Sequence, residues 1–244
     1  MTIHKSRLMS RSFGFAFGVA ALMLAAQANA TVANTLYSCN FVGASSLFRV
    51  NHNTGSATAV GPMGIQCTDI AFRGHELYAT TFTSLYRVNP DTGNAAFVGN
   101  VGAGDVNALA VNPLTGRMYG AGSAAGAFYE INPATGGGAL IGFYGPGLSS
   151  AGDLAMLNNI MYATVNRAGF PNTWLARVNL GTGAATLIGD MGRPLVYGLS
   201  VRGGKLYATT NTGAVVLVNK ATGATSLIGN NGVAHGGQTT SPNW

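Results

Sequence analysis

Apolar and polar residues alternate along this chain in short bursts separated by turn residues. Segments such as Leu85-Tyr-Arg-Val88 and Leu175-Ala-Arg-Val178 have the period of a strand, not of a helix. Each of the five such segments runs into the phrase Asn-x-x-Thr-Gly, at Asn51, Asn89, Asn132, Asn179 and Asn219. A second alternating segment follows, as at 95–98 and 185–188, and ends in glycine. Period-two patterning on both sides of a short turn predicts a β-hairpin. The turn chemistry agrees: Asn opens a turn, Pro presets the next φ, and the closing Gly supplies a positive φ.

A second phrase places a tyrosine after an apolar residue, at Tyr37, Tyr78, Tyr119, Tyr162 and Tyr207. Four of these follow another short apolar strand and a tight turn: Ile70-Ala-Phe72, Leu109-Ala-Val111, Leu154-Ala-Met156 and Leu199-Ser-Val201. Each unit therefore reads as four strands, A to D, over about 43 residues, the period of a propeller blade. Five units account for residues 31–244, and a five-bladed β-propeller of four-stranded antiparallel blades is predicted over a β-solenoid. The first unit lacks strand A. The C-terminal stretch 233–244 is expected to supply it and pair the two ends of the chain, with an open ring or a dimer contact as the alternatives. The five tyrosines, one per unit in one phase, read as core between blades.

Phrases such as Leu85-Tyr-Arg-Val-Asn-Pro-Asp-Thr-Gly93 and Leu109-Ala-Val-Asn-Pro-Leu-Thr-Gly-Arg-Met-Tyr119 resemble exported bacterial β-propeller repeat proteins, the broad YVTN/quinoprotein-like and SMP-30-like group. The resemblance covers residues 31–244 and implies the fold. Enzymes of that group hold a metal through Glu, Asn and Asp inside the channel. Glu76 and Glu130 are the only glutamates here and fall in an A–B turn and a strand C, so no such set maps onto this chain. The tryptophan repeat of the quinoprotein enzymes is also missing: beyond residue 30 there are only Trp174 and Trp244.

Composition narrows the picture. With 47% hydrophobic and 8% charged residues, disorder and coiled coil are excluded. The first thirty residues read as a secretory signal peptide: Lys5, Arg7 and Arg11, an apolar run over 13–26, and Ala28-Asn-Ala30 as the cleavage site. The domain is then 31–244, exported to the periplasm or outside, with no membrane span in the mature chain. Removing three of thirteen basic residues and none of the seven acidic ones lowers the net charge from +6 to +3. Without a Lys/Arg run, this gives no nucleic-acid signature.

Candidate chemistry concentrates on one face. The A–B and C–D turns share one side, where the Asn-x-x-Thr-Gly turns hold one carboxylate, Asp91, too few for a hard cation. The B–C and D–A loops share the other, and irregular loops on a rigid scaffold are where sites reside. There, Cys39 and Cys67 fall in adjacent blades and are expected to form a disulfide in an oxidising compartment. Asp69 and Asp153 hold equivalent positions at the entrance of strand A, with Asp105, Asn107, Tyr197 and His235 nearby, as a candidate ring at the channel mouth. The plainer reading gives those aspartates backbone amides to accept. Arg167, Phe170 and Trp174 lie in the longest loop, where the aromatic rings are candidates to stack on a sugar or peptide. No catalytic set, metal or cofactor is identified. The expectation is a monomeric, non-catalytic module that binds a glycan, peptide or envelope protein. The alternatives are a carbohydrate hydrolase using the channel-mouth aspartates, which would act as paired carboxyls, and a structural envelope protein.

Overall fold

The computed structural model describes residues 35–242, and the expected signal peptide lies outside them. The described residues form twenty β-strands and no helix. Four of the five sheets follow chain order from the axis outward. The second blade is β4 (Asp69–Arg73), β5 (Glu76–Thr80), β6 (Ser84–Val88) and β7 (Ala95–Asn100). The third is β8 (Val106–Val111), β9 (Met118–Gly122), β10 (Ala127–Ile131) and β11 (Gly138–Phe143). The fourth is β12 (Leu148–Leu157), β13 (Ile160–Arg167), β14 (Thr173–Val178) and β15 (Ala185–Asp190). The fifth is β16 (Val196–Arg202), β17 (Lys205–Thr210), β18 (Ala214–Val218) and β19 (Thr225–Asn230).

The first blade is built differently. β1 (Leu36–Asn40), β2 (Ser46–Val50) and β3 (Ala57–Pro62) take their inner partner from the far end of the chain, β20 (His235–Thr240). Leu36 sits opposite Thr240, Tyr37 opposite Thr239 and Ser38 opposite Gln238. β20 also lies against β16 on one side and β4 on the other. The polar run Gln238-Thr-Thr240 is tolerated there because its backbone is paired and Gln238 reaches Ser200.

Apolar side chains fill the spaces between blades. Tyr37, Tyr78, Tyr119, Tyr162 and Tyr207 are all buried, as expected for core. Three of them carry an arginine over the ring: Arg49 on Tyr37, Arg87 on Tyr78 and Arg117 on Tyr119. Each then reaches a carboxylate, Asp91, Glu76 and Glu130 respectively.

The Asn-x-x-Thr-Gly turn does more than reverse the chain. In the second blade Asn89 Oδ1 accepts the amides of Asp91 (2.9 Å) and Thr92 (3.1 Å); the turns at Asn51 and Asn179 repeat both bonds, and those at Asn132 and Asn219 repeat the first. Its closing glycine has a positive φ in every blade, 74° to 84°. Each turn abuts a bulge glycine on the outer strand of the preceding blade. A Cβ on Gly99 would stand 1.8 Å from the carbonyl oxygen of Thr135, and one on Gly229 would stand 2.2 Å from that of Thr54. Gly61, Gly142 and Gly189 meet Thr92, Thr182 and Thr222 in the same way. All five blade boundaries, including the one between the fifth and first blades, carry this contact.

Cys39, at the end of β1, and Cys67, just before β4, are joined by a disulfide with Cα atoms 6.3 Å apart. Both are fully buried, and the bond ties the first blade to the second.

Candidate functional site

Two carboxyls lie inside the ring, among its innermost strands. Asp69 begins β4 and Asp153 lies within β12, and both are fully buried. Their side chains hydrogen-bond to each other, which places a proton between them. Backbone amides from the other inner strands converge on the pair. Asp69 accepts Leu109 N of β8 and Ile70 N. Asp153 accepts Leu199 N of β16, Gln238 N of β20 (3.0 Å) and Leu154 N (2.6 Å). All five blades thus meet at one carboxyl pair. The equivalent repeat positions hold Ala108, Gly198 and Gly237, which leave it room. A Cβ on Gly237 would fall 2.0 Å from Asp69 Oδ1. Burial raises both pKa values well above the ordinary carboxylate range, and for Asp69 the charge of Asp153 adds to this.

The sequence places these aspartates as candidates for the channel mouth, but the structure puts them inside the ring. They separate two cavities and line neither. On the A–B side lies a space of about 320 Å³ walled by residues such as Ala71, Ala110, Ala155 and Val201. On the B–C and D–A side lies one of about 210 Å³ to which all five blades contribute.

This second cavity has an aromatic collar and a polar floor. Phe41 stands edge to face with Phe82 (6.0 Å between ring centres) and with Tyr197 (6.2 Å). Asn107, Ser150 and Asn166 are on its wall. The Ser150 carbonyl accepts Nδ2 of Asn107 (3.3 Å) and Nδ2 of Asn166 (3.4 Å). This orients the Asn107 amide so that its Oδ1, also buried, receives no donor among the described residues.

The remaining candidates are placed as follows. Asn107 and Tyr197 line the cavity. Asp105 does not: from the D–A link its carboxylate accepts Ala124 N (2.9 Å) of the B–C loop in the same blade. His235 is fully buried in β20. Asn231 Nδ2 donates to the Gly55 carbonyl and Asn231 Oδ1 accepts Val233 N, so that oxygen must also accept from His235 Nε2–H (3.1 Å). Nδ1 then accepts from the Ser38 hydroxyl (2.8 Å). Burial lowers this imidazole to about 4, leaving a neutral structural histidine. Phe170 and Trp174 each have one face covered by Arg167, whose guanidinium carbon lies 4.0 and 4.7 Å from the two ring centres.

Sequence reasoning missed Phe41, Phe82, Ser150 and Asn166. A usable signal exists. The residue four places after each strand-B tyrosine reads Phe41, Phe82, Ser123, Asn166 and Asn211, and the first four of these line the cavity. The residue before the carboxyl-pair level reads Thr68, Asn107, Gly152, Tyr197 and Gly236, and all five line it. The cavity is made of repeat positions at which the repeats disagree.

Among the described residues no group of three or more His, Cys, Asp or Glu is placed to hold a metal ion, and no helix is long and apolar enough to cross a membrane. No family model and no curated protein sequence matches the chain. Solved structures share its fold. One is from a crystal structure of a nidogen/laminin complex, at 14% identity and TM-score 0.56, covering 86% of this chain and 81% of that one. Another is a gluconolactonase from Xanthomonas campestris described as important in glucose secondary metabolic pathways, at 15% identity and TM-score 0.52, covering 84% and 79%. These likenesses support the resemblance to propeller repeat proteins at the level of the fold. They also correct one expectation. The absence of a recognisable catalytic set led to the reading that this chain is not an enzyme. A gluconolactonase on the same fold removes that exclusion, because fold and function are separable.

Proposed function

We propose that the protein is an exported binding module whose B–C and D–A loop face takes a small polar ligand, seated in the cavity ringed by Phe41, Phe82 and Tyr197. The observation that carries this reading is Asn107 Oδ1, a buried acceptor without a donor at the floor of an aromatic-rimmed cavity. An unpaired buried polar atom costs about 1–3 kcal/mol, which a ligand hydroxyl or N–H recovers on binding. Apolar walls with a few placed polar groups are the usual composition of a ligand site. The ligand classes that fit are a glycan or a short peptide. Export is supported by the buried disulfide, which persists in oxidising compartments.

A hydrolase acting through Asp69 and Asp153 has no support in their placement. Glycoside hydrolysis needs carboxyls about 5–9.5 Å apart with substrate between them, whereas these touch each other and are sealed from both cavities. The test is binding to glycan and peptide arrays by the protein and by Asn107→Trp, which fills the cavity. Retention on the array that is lost in the variant is the expected result. Binding that survives the filled cavity overturns the reading.

A further inference from the structure

A groove adjoins the loop-face cavity. Asn166 lines the cavity and also lines this groove of about 460 Å³ along the third and fourth blades, with Ala124, Ser149 and Arg167 on its walls. The cavity alone, about 210 Å³, falls short of the roughly 300–1,000 Å³ of small-molecule sites. Cavity and groove together fall within that range.

Arg167 stands at the groove in a fixed pose. Phe170 and Trp174 meet edge to face at 5.5 Å, and the guanidinium lies over both rings. Stacking occupies the faces of the guanidinium and leaves its N–H edge free to read a planar anion by two parallel hydrogen bonds. No carboxylate among the described residues pairs with it: the ion pairs there are made by Arg49, Arg87 and Arg117. The acids of this face are engaged elsewhere, Asp105 with Ala124 N and Asp190 with Gly192 N and Asn172. A half-buried, oriented cation without an anion thus sits beside a cavity whose floor needs a donor.

We infer that cavity and groove form one site for an acidic saccharide. A sugar hydroxyl donates to Asn107 Oδ1 in the cavity, and a carboxylate farther along the saccharide is held by the edge of Arg167. The grouping of Asn107, Ser150 and Asn166 favours sugar over peptide, because vicinal hydroxyls both donate and accept while the collar rings cover the apolar C–H surface. The inference rests on the loop-face reading above.

The test is calorimetric titration of the protein with a uronic-acid trisaccharide, with the same trisaccharide after reduction of its carboxyls to alcohols, and with tetraglutamate. The acidic trisaccharide is expected to bind about tenfold or more tightly than the reduced one, the size of a charge-assisted pair. Arg167→Gln, at the end of β13, removes that preference, and Asn107→Leu weakens both sugars alike. Equal affinity for the two sugars, or a preference that survives Arg167→Gln, overturns the Arg167 assignment while the loop-face reading stands. Sugar binding untouched by Asn107→Leu overturns the loop-face reading as well. Binding of tetraglutamate alone, or of no titrant, overturns the saccharide assignment.

Discussion

His235 and the Asp69–Asp153 pair give the molecule two opposed responses to pH. The buried imidazole titrates near 4, below the ordinary 6.5. Below pH 6.5 the unfolded chain takes up a proton that the folded one refuses, so this residue's contribution to stability is lost as pH falls from 6.5 to 4. The loss amounts to about 3 kcal/mol. Equilibrium unfolding of His235→Gln across that window should lack this loss. The aspartate pair has the opposite sign. Its pKa values are raised, so its contribution is greatest in acid and declines as pH climbs above the usual carboxylate range. Asp153 takes three backbone amides and Asp69 two, which makes Asp69 the holder of the shared proton. Asp69→Asn keeps a donor toward Asp153 and is expected to flatten the alkaline decline. Asp153→Ala removes the focus of three amides and should cost about 3–5 kcal/mol, the scale for breaking a buried pair.

At the level of strands and turns, the bulge glycines are the sharpest test of how blades adhere. Gly99→Ala pushes a Cβ to 1.8 Å from the Thr135 carbonyl oxygen. Backbone cannot yield as a flexible side chain does, and destabilisation at or above the top of the usual 1–3 kcal/mol for overpacking is expected. Gly74→Ala is the control. It has a φ of +56° but nothing within 4 Å, so it should cost only the left-handed penalty of about 1–2 kcal/mol. Thermal melts of the two variants separate close packing from backbone strain. This contrast also explains what could be read before the structure. Hairpins were legible because period-two patterning and Asn-x-x-Thr-Gly are local signals that every unit repeats. The cavity was not, because Phe41, Phe82 and Asn166 share nothing in sequence except their distance from a tyrosine. The contact between Asp69 and Asp153 was hidden for a related reason: it joins blades that are not neighbours, and no local pattern reports a meeting at the axis.

For the whole molecule, the disulfide and β20 are the long-range ties of the first blade. Cys39–Cys67 spans 28 residues, and in the chain-entropy account such a loop is worth about 3–4 kcal/mol. Reduction should lower the melting temperature by about 10 °C for a domain of this size. Deleting residues 235–244 removes the inner partner of β1, the His235 contacts and one amide on Asp153 at once. A fall far larger than that of reduction is expected, and an unchanged melt would refute the role assigned to β20. The described ends of the chain are already in contact: Ser241 N donates to the Thr35 carbonyl and Thr35 N to Ser241 Oγ, each at 2.9 Å. The molecule therefore has no privileged starting point. Joining residue 242 to residue 35 and opening the link between β7 and β8 would give a circularly permuted chain in which all five blades are contiguous, the first one included. The break the chain now carries inside one blade is a matter of connectivity, and the architecture would survive moving it.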